Sequence, residues 1–111
     1  MSVVELVAAV LFFIGCIGAF VCYERLIRRQ FEVAHDSWEA DGCPPGFVWS
    51  APGTSVMRSW TREKAMHRLL FGRPPWTIDD PVARQLHGRF RAFSLVCLVA
   101  WVVGFTAMLL K

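Results

Sequence analysis

Charge is the scarcest commodity in this 111-residue chain. Asp, Glu, Lys and Arg make up 19% of it, against roughly 25% in a soluble domain. With 55% apolar residues, a chain this small lacks the polar surface needed to cover a globule. The usual signatures of chemistry are missing too. There is no C-x-x-C, and the three histidines, His35, His67 and His87, are scattered. A zinc site needs four convergent ligands, usually as two close pairs, so no metal ligand is expected. No histidine lies in the apolar runs, which excludes haem held between them. Ser37, Ser50, Ser55 and Ser59 sit in no G-x-S-x-G, and no glycine-rich phosphate loop occurs. Without a nucleophile beside a base, no catalytic residue, cofactor or enzyme activity is expected. Internal repeats and low-complexity segments are absent as well.

What is present collects at the two ends. Residues 3–22 and 92–110 are apolar almost throughout. Each is close to the roughly 20 residues that cross a bilayer at about 1.5 Å per residue. The polar position every third or fourth residue that marks a soluble amphipathic helix is missing from both. Glu5 is the one acid in either run, near enough to its start to reach the headgroups and be exposed there. A cleaved signal peptide would carry positive charge before its apolar stretch and small residues at its end. Here the order is reversed, with Glu5 before and arginines after, so cleavage is not expected.

The stretch FVCYERLIRRQF, residues 20–31, shows where the charge goes. Arg25, Arg28 and Arg29 follow the first apolar run, and Arg84, Arg89 and Arg91 precede the second. All basic residues except Lys111 lie between the two runs. Lys and Arg near a span are retained on the cytoplasmic side. The sequence therefore predicts an all-α membrane protein, with two transmembrane helices joined by a helical cytoplasmic segment and both termini periplasmic. The parts are a first span over 1–23, a cytoplasmic segment with Pro/Gly-rich loops over 24–80, and an amphipathic helix over 81–111 that continues into the second span. The six arginines are expected to meet anionic headgroups, each worth about 1 kcal/mol near the surface. A net charge of +3 placed this way argues for lipid rather than nucleic acid.

Within the middle segment, Ile27, Phe31, Ala34 and Trp38 follow helical spacing and predict that the first helix runs on to Ala40. Gly42, Pro44 and Pro45 end it. Phe47 and Trp49, in the loop that follows, are expected to pack on neighbouring helices. A second helix is predicted over 55–71, capped by Thr54 or Ser55, with Val56, Trp60, His67 and Leu70 on one face. Gly72 stops it, and Pro74-Pro75 block helix beyond. Asp80 before Pro81 reads as an N-cap with proline at the first helical position, which explains Asp79-Asp80 better than a metal pair does.

Both spans carry small residues at interval. In the first these are Ala8, Gly15, Gly18 and Ala19, and in the second Cys97, Ala100, Gly104 and Ala107. Lipid offers no hydrophobic drive for helix association, so close approach over small residues supplies the contact. These stripes are expected to pack, either within the chain or between chains. The four cysteines, Cys16, Cys22, Cys43 and Cys97, read mostly as small apolar residues.

The plan resembles the universal stress protein B family, small two-pass inner-membrane proteins of proteobacteria. The likeness covers nearly the whole chain in length and in its apolar ends. It rests on Asp41-Gly42 ahead of a stretch ending at Phe47, and on Asp79-Asp80, Arg84, Arg91 and Phe93 leading into the last span. Pro81 and Gly88 depart from the family's strongly charged pattern. The resemblance implies a bacterial inner membrane and a stress-related role without a mechanism. The expected function is that of a non-catalytic accessory membrane component, acting through helix packing and a cytoplasmic face on membrane lipids and on other subunits or a second copy. A subunit of a transporter or channel assembly is the alternative, disfavoured because only Glu5, Ser94 and Thr106 could line a polar path.

Overall fold

A computed structural model describes residues 2–54 and 59–111. Among them, helix is the only regular structure. α1 (Val3–Val33) and α5 (Pro81–Leu109) are the two long helices, and α2 (His35–Ala40), α3 (Ser59–Phe71) and α4 (Pro75–Asp79) lie between them in the chain. α1 and α5 run antiparallel along their whole shared length. The molecule measures 51 × 29 × 17 Å. A hydrocarbon core is about 30 Å thick, so the long axis exceeds it by about 20 Å.

The two long helices are each long and apolar enough to cross a membrane. A buried helix of a soluble protein would have the same composition, but it would be covered. Here only 22% of the most apolar window of α1 and 6% of that of α5 is buried. Val3, Phe13, Ile17, Leu95, Leu98 and Trp101 all point outward. Burial of apolar side chains concentrates instead at the opposite end of the rod. There Tyr23, Leu26 and Ile27 of α1, Ala83, Leu86 and Phe90 of α5, Ala65 and Leu69 of α3, and Trp76 of α4 form one core. The chain thus divides into a bare apolar pair and a packed head.

α1 does not run on to Ala40. It breaks at Ala34, whose backbone stands at φ −137°, ψ 53°. Alanine favours helix, so the cause is tertiary. Gln30 Nε2 donates to Ser37 Oγ at 3.1 Å and to Asp41 Oδ2 at 2.8 Å. Trp38 Nε1 donates to the Pro44 carbonyl at 3.0 Å. The two Gln30 bonds fold α2 back onto α1, the Trp38 bond ties α2 to the loop after it, and Ile27 and Trp38 still face inward as their spacing predicts. Gly42 at φ 87° and Cys43 at φ 55° then reverse the chain, with the usual glycine in the left-handed position after a helix.

Three further expectations are corrected. Pro74 and Pro75 start a helix rather than block one: Pro74 caps α4 and Pro75 takes its first position, where a missing N–H costs nothing. The buried face of α3 is Ala65 and Leu69, not Trp60 and His67, which are exposed. Bulk misled here, because the close approach to α1 and α5 favours alanine over tryptophan. Asp80 does stand at the N-cap of α5, but makes no side-chain cap bond there. Its carboxylate is turned to Arg29 of α1. Ser55 and Val56 lie outside the described residues, and the Thr54 hydroxyl donates to the Ala51 carbonyl at 2.7 Å.

Candidate functional site

The small-residue stripes meet each other across α1 and α5, inside one chain. At Gly15 a Cβ would stand 2.8 Å from the Cys97 amide nitrogen and 2.9 Å from the Phe93 carbonyl oxygen. Real Cβ atoms do not come that near backbone, so glycine is what permits the crossing. At Gly18 the same atom would collide with one edge of the Phe93 ring. Further out, Gly104 faces the methyl of Ala8, 3.3 Å from where its own Cβ would be. Ala8 and Ala100 are buried, and Ala19, Cys97 and Ala107 are half-buried. Ala19 and Phe93 pack against the head core, joining seam to head.

Glu5 is not exposed. It is buried at the outer end of the seam, and its carboxylate lies 2.9 Å from Lys111 Nζ. The pair ties the start of α1 to the end of the chain. The Ser2 hydroxyl accepts from the Glu5 amide at 3.2 Å and caps the helix.

The basic residues form a girdle where the rod becomes the head. Arg25, Arg28, Arg84, Arg89 and Arg91 are exposed. Arg28 makes only a solvent-facing pair with Glu32, at 3.4 Å. Arg29 is the exception, since its guanidinium is engaged by Asp80 in two parallel bonds, 2.7 Å from Nε and 3.1 Å from Nη2. That pair gives it a part in the fold. The Asp80 carboxyl is held below its ordinary range, chiefly by those bonds.

A carboxylate that sequence reasoning passed over organises the girdle's inner side. Glu24 receives three successive backbone amides of the loop: Phe47 and Val48 on Oε1 and Trp49 on Oε2. Three charge-assisted bonds to one group fix a proline- and glycine-rich loop that has little structure of its own. Gly46 leaves room for it, since a Cβ there would stand 2.5 Å from the carboxylate oxygens and push them aside. Tyr23 adds a buried hydroxyl donating to the Pro45 carbonyl at 3.0 Å. The loop aromatics pack on the helices: Phe47 stacks on Phe20 at 4.9 Å and Trp49 meets Phe31 at 5.4 Å. The only signal for this clamp was an acid among arginines at the end of an apolar run.

Around this core the head shows apolar side chains to the outside. Val48, Trp60 (68% exposed) and Phe71 (80% exposed) stand out. Leu70 and Phe71 border a groove with Arg91, Ser94, Leu95 and Leu98, at the girdle's level on α5. Of the histidines, His35 and His67 are exposed, while His87 is buried with Nε2 at 2.6 Å from the Leu69 carbonyl oxygen. Among the described residues no cluster of three or more His, Cys, Asp or Glu could hold a metal ion.

No family model, curated protein or solved structure matches the chain. The functional reading therefore rests on the geometry and on the short sequence likeness given above.

Proposed function

We propose that the chain is a two-pass protein of a bacterial inner membrane, with periplasmic termini and a cytoplasmic head over residues 24–80. In this reading it works without catalysis, as an accessory and stress-related membrane component that presents the head to another membrane-protein subunit or a second copy. The observation that carries the reading is the split in the molecule: two apolar helices left bare over about a bilayer's thickness, and a packed head beginning at a ring of arginines. The arginines support the orientation, since they flank both helices on the head's side. The seam supports docking through the head, because its small residues are already used between α1 and α5.

Gentle solubilisation from the native membrane tests the role. Co-purification of a defined membrane complex, or a homogeneous self-assembly, is expected; a free monomer alone refutes it. Ion flux in vesicles reconstituted with the pure protein would instead favour a channel component. Orientation is tested with Ser2→Cys and Pro52→Cys in a background lacking Cys43, using a membrane-impermeant maleimide on intact cells. Ser2→Cys should label at once and Pro52→Cys only after the membrane is opened. The opposite pattern inverts the topology.

A further inference from the structure

Where the two long helices come closest, two thiols meet. Cys16 Sγ of α1 lies 3.0 Å from Cys97 Sγ of α5. Next to Cys16 is Gly15, the residue whose missing side chain lets the Cys97 backbone approach. The two cysteines are thus brought together by the backbone crossing itself. The other two are placed otherwise: Cys22 is buried in the head core, and Cys43 lies in the turn after α2.

A disulfide has an S–S length of about 2.05 Å. Closing the present gap takes about 1 Å of sulfur movement, within reach of side-chain rotation. The surroundings decide which oxidant suits the pair. One turn away on either side stand Phe12 and Phe20 along α1 from Cys16, and Phe93 and Trp101 along α5 from Cys97. A charged oxidant must shed its hydration to reach sulfurs in such apolar surroundings, whereas a small neutral one need not.

We propose that Cys16 and Cys97 form an oxidisable dithiol, converted by a small neutral oxidant of the hypohalous acid class into a disulfide that staples α1 to α5. With hypochlorous acid the first sulfur attacks chlorine. An S–Cl bond forms, the O–Cl bond breaks, and the thiol proton leaves with the hydroxide as water. The second sulfur then displaces chloride. The S–S bond forms, the S–Cl bond breaks, and the second proton leaves with the chloride. Two electrons pass from the sulfurs to chlorine. The second thiol is already in contact with the first, so intramolecular capture outruns climbing to the sulfinic and sulfonic acids. The inference is independent of the accessory role and of which way the protein faces.

The test uses the full chain in vesicles, treated with one equivalent of hypochlorous acid, quenched, denatured and reacted with a polymer-tagged maleimide. Four tags are expected before oxidation, two after it, and four again after dithiothreitol. Peptide mass mapping should show Cys16 joined to Cys97. Cys16→Ser should carry three tags before oxidation and afterwards yield no peptide in which Cys97 is disulfide-linked. Four tags after oxidation would overturn the proposal. So would a loss in the wild type that dithiothreitol does not recover, disulfide-linked dimers, or a disulfide that omits Cys16 or Cys97.

Discussion

Arg29 and Asp80 lock the end of α1 that leaves the apolar zone to the start of α5. The guanidinium meets the carboxylate through two bonds, of 2.7 and 3.1 Å. A fork-to-fork pair fixes direction as well as distance, so it sets the register between two helices that are 51 residues apart in sequence at this point.

That pair gives a pH signature. The Asp80 carboxyl lies below its ordinary value of 3.8, chiefly through its hydrogen bonds to Arg29. A group with a depressed folded-state pKa contributes fully above its unfolded value and loses that contribution as pH falls through the folded one. Wild type should therefore melt above Asp80→Asn from pH 5 to 8. The gap should close only as the pH drops below about 3.8. A gap that persists unchanged at lower pH would mean the carboxylate's charge is not what Arg29 uses.

Two glycines in helices should respond oppositely to alanine. At Gly15 the new methyl meets Cys97 and Phe93 backbone, and overpacking of this kind costs about 1–3 kcal/mol. At Gly88 nothing lies within 4 Å, so alanine should stabilise α5 by about 0.5–1 kcal/mol. Thermal melts of Gly15→Ala and Gly88→Ala in one detergent check the pair. Gly15→Ala should also reduce the yield of the Cys16–Cys97 cross-link.

Replacing Glu24 by Gln should loosen the loop without unfolding the rod. An amide side chain cannot receive three N–H groups with a full charge, and a hydrogen bond to a charged group is worth about 1.5–3 kcal/mol. Hydrogen exchange at Phe47, Val48 and Trp49 should speed by about tenfold or more, the equivalent of about 1.4 kcal/mol. Exchange in the α1–α5 seam should stay as it was.

The histidines separate cleanly by position. His35→Ala and His67→Ala, both on the surface, should stay within about 0.5 kcal/mol of wild type. His87→Ala leaves the Leu69 carbonyl without its partner and should cost about 1–3 kcal/mol. A loss of function in His87 variants alone would therefore report on folding, and denaturant melts should show it.

The long-range plan was legible because composition alone determines it. Apolar runs of about a bilayer's length and the arginines between them are properties of the string. So were the small-residue stripes, whose spacing names the face although not the partner. The misses share a cause. Each depends on a side-chain pairing that spacing does not show: Asp80 turned from its cap to the distant Arg29, Glu5 buried beside the distant Lys111, and the break at Ala34 set by Gln30 reaching Ser37 and Asp41 across it. On α3, apolar bulk pointed to Trp60, whereas the space between helices selected Ala65 and Leu69. The Glu24 clamp carried no motif, since its acceptors are backbone amides that every loop possesses.

The two long helices are joined at three heights: Glu5 to Lys111 at the far end, Gly15 against Cys97 in the middle, and Arg29 to Asp80 at the head. Neighbouring rods pinned at one level can scissor or slide, but rods pinned at three cannot. The assembly behaves as a single stiff beam with a handle. In the membrane placement proposed above, a push on the handle would be transmitted as tilt of the whole beam, and tilt would change the apolar height presented to lipid. In the proposed membrane setting, a partner gripping the head would be coupled mechanically to bilayer thickness through this one small chain.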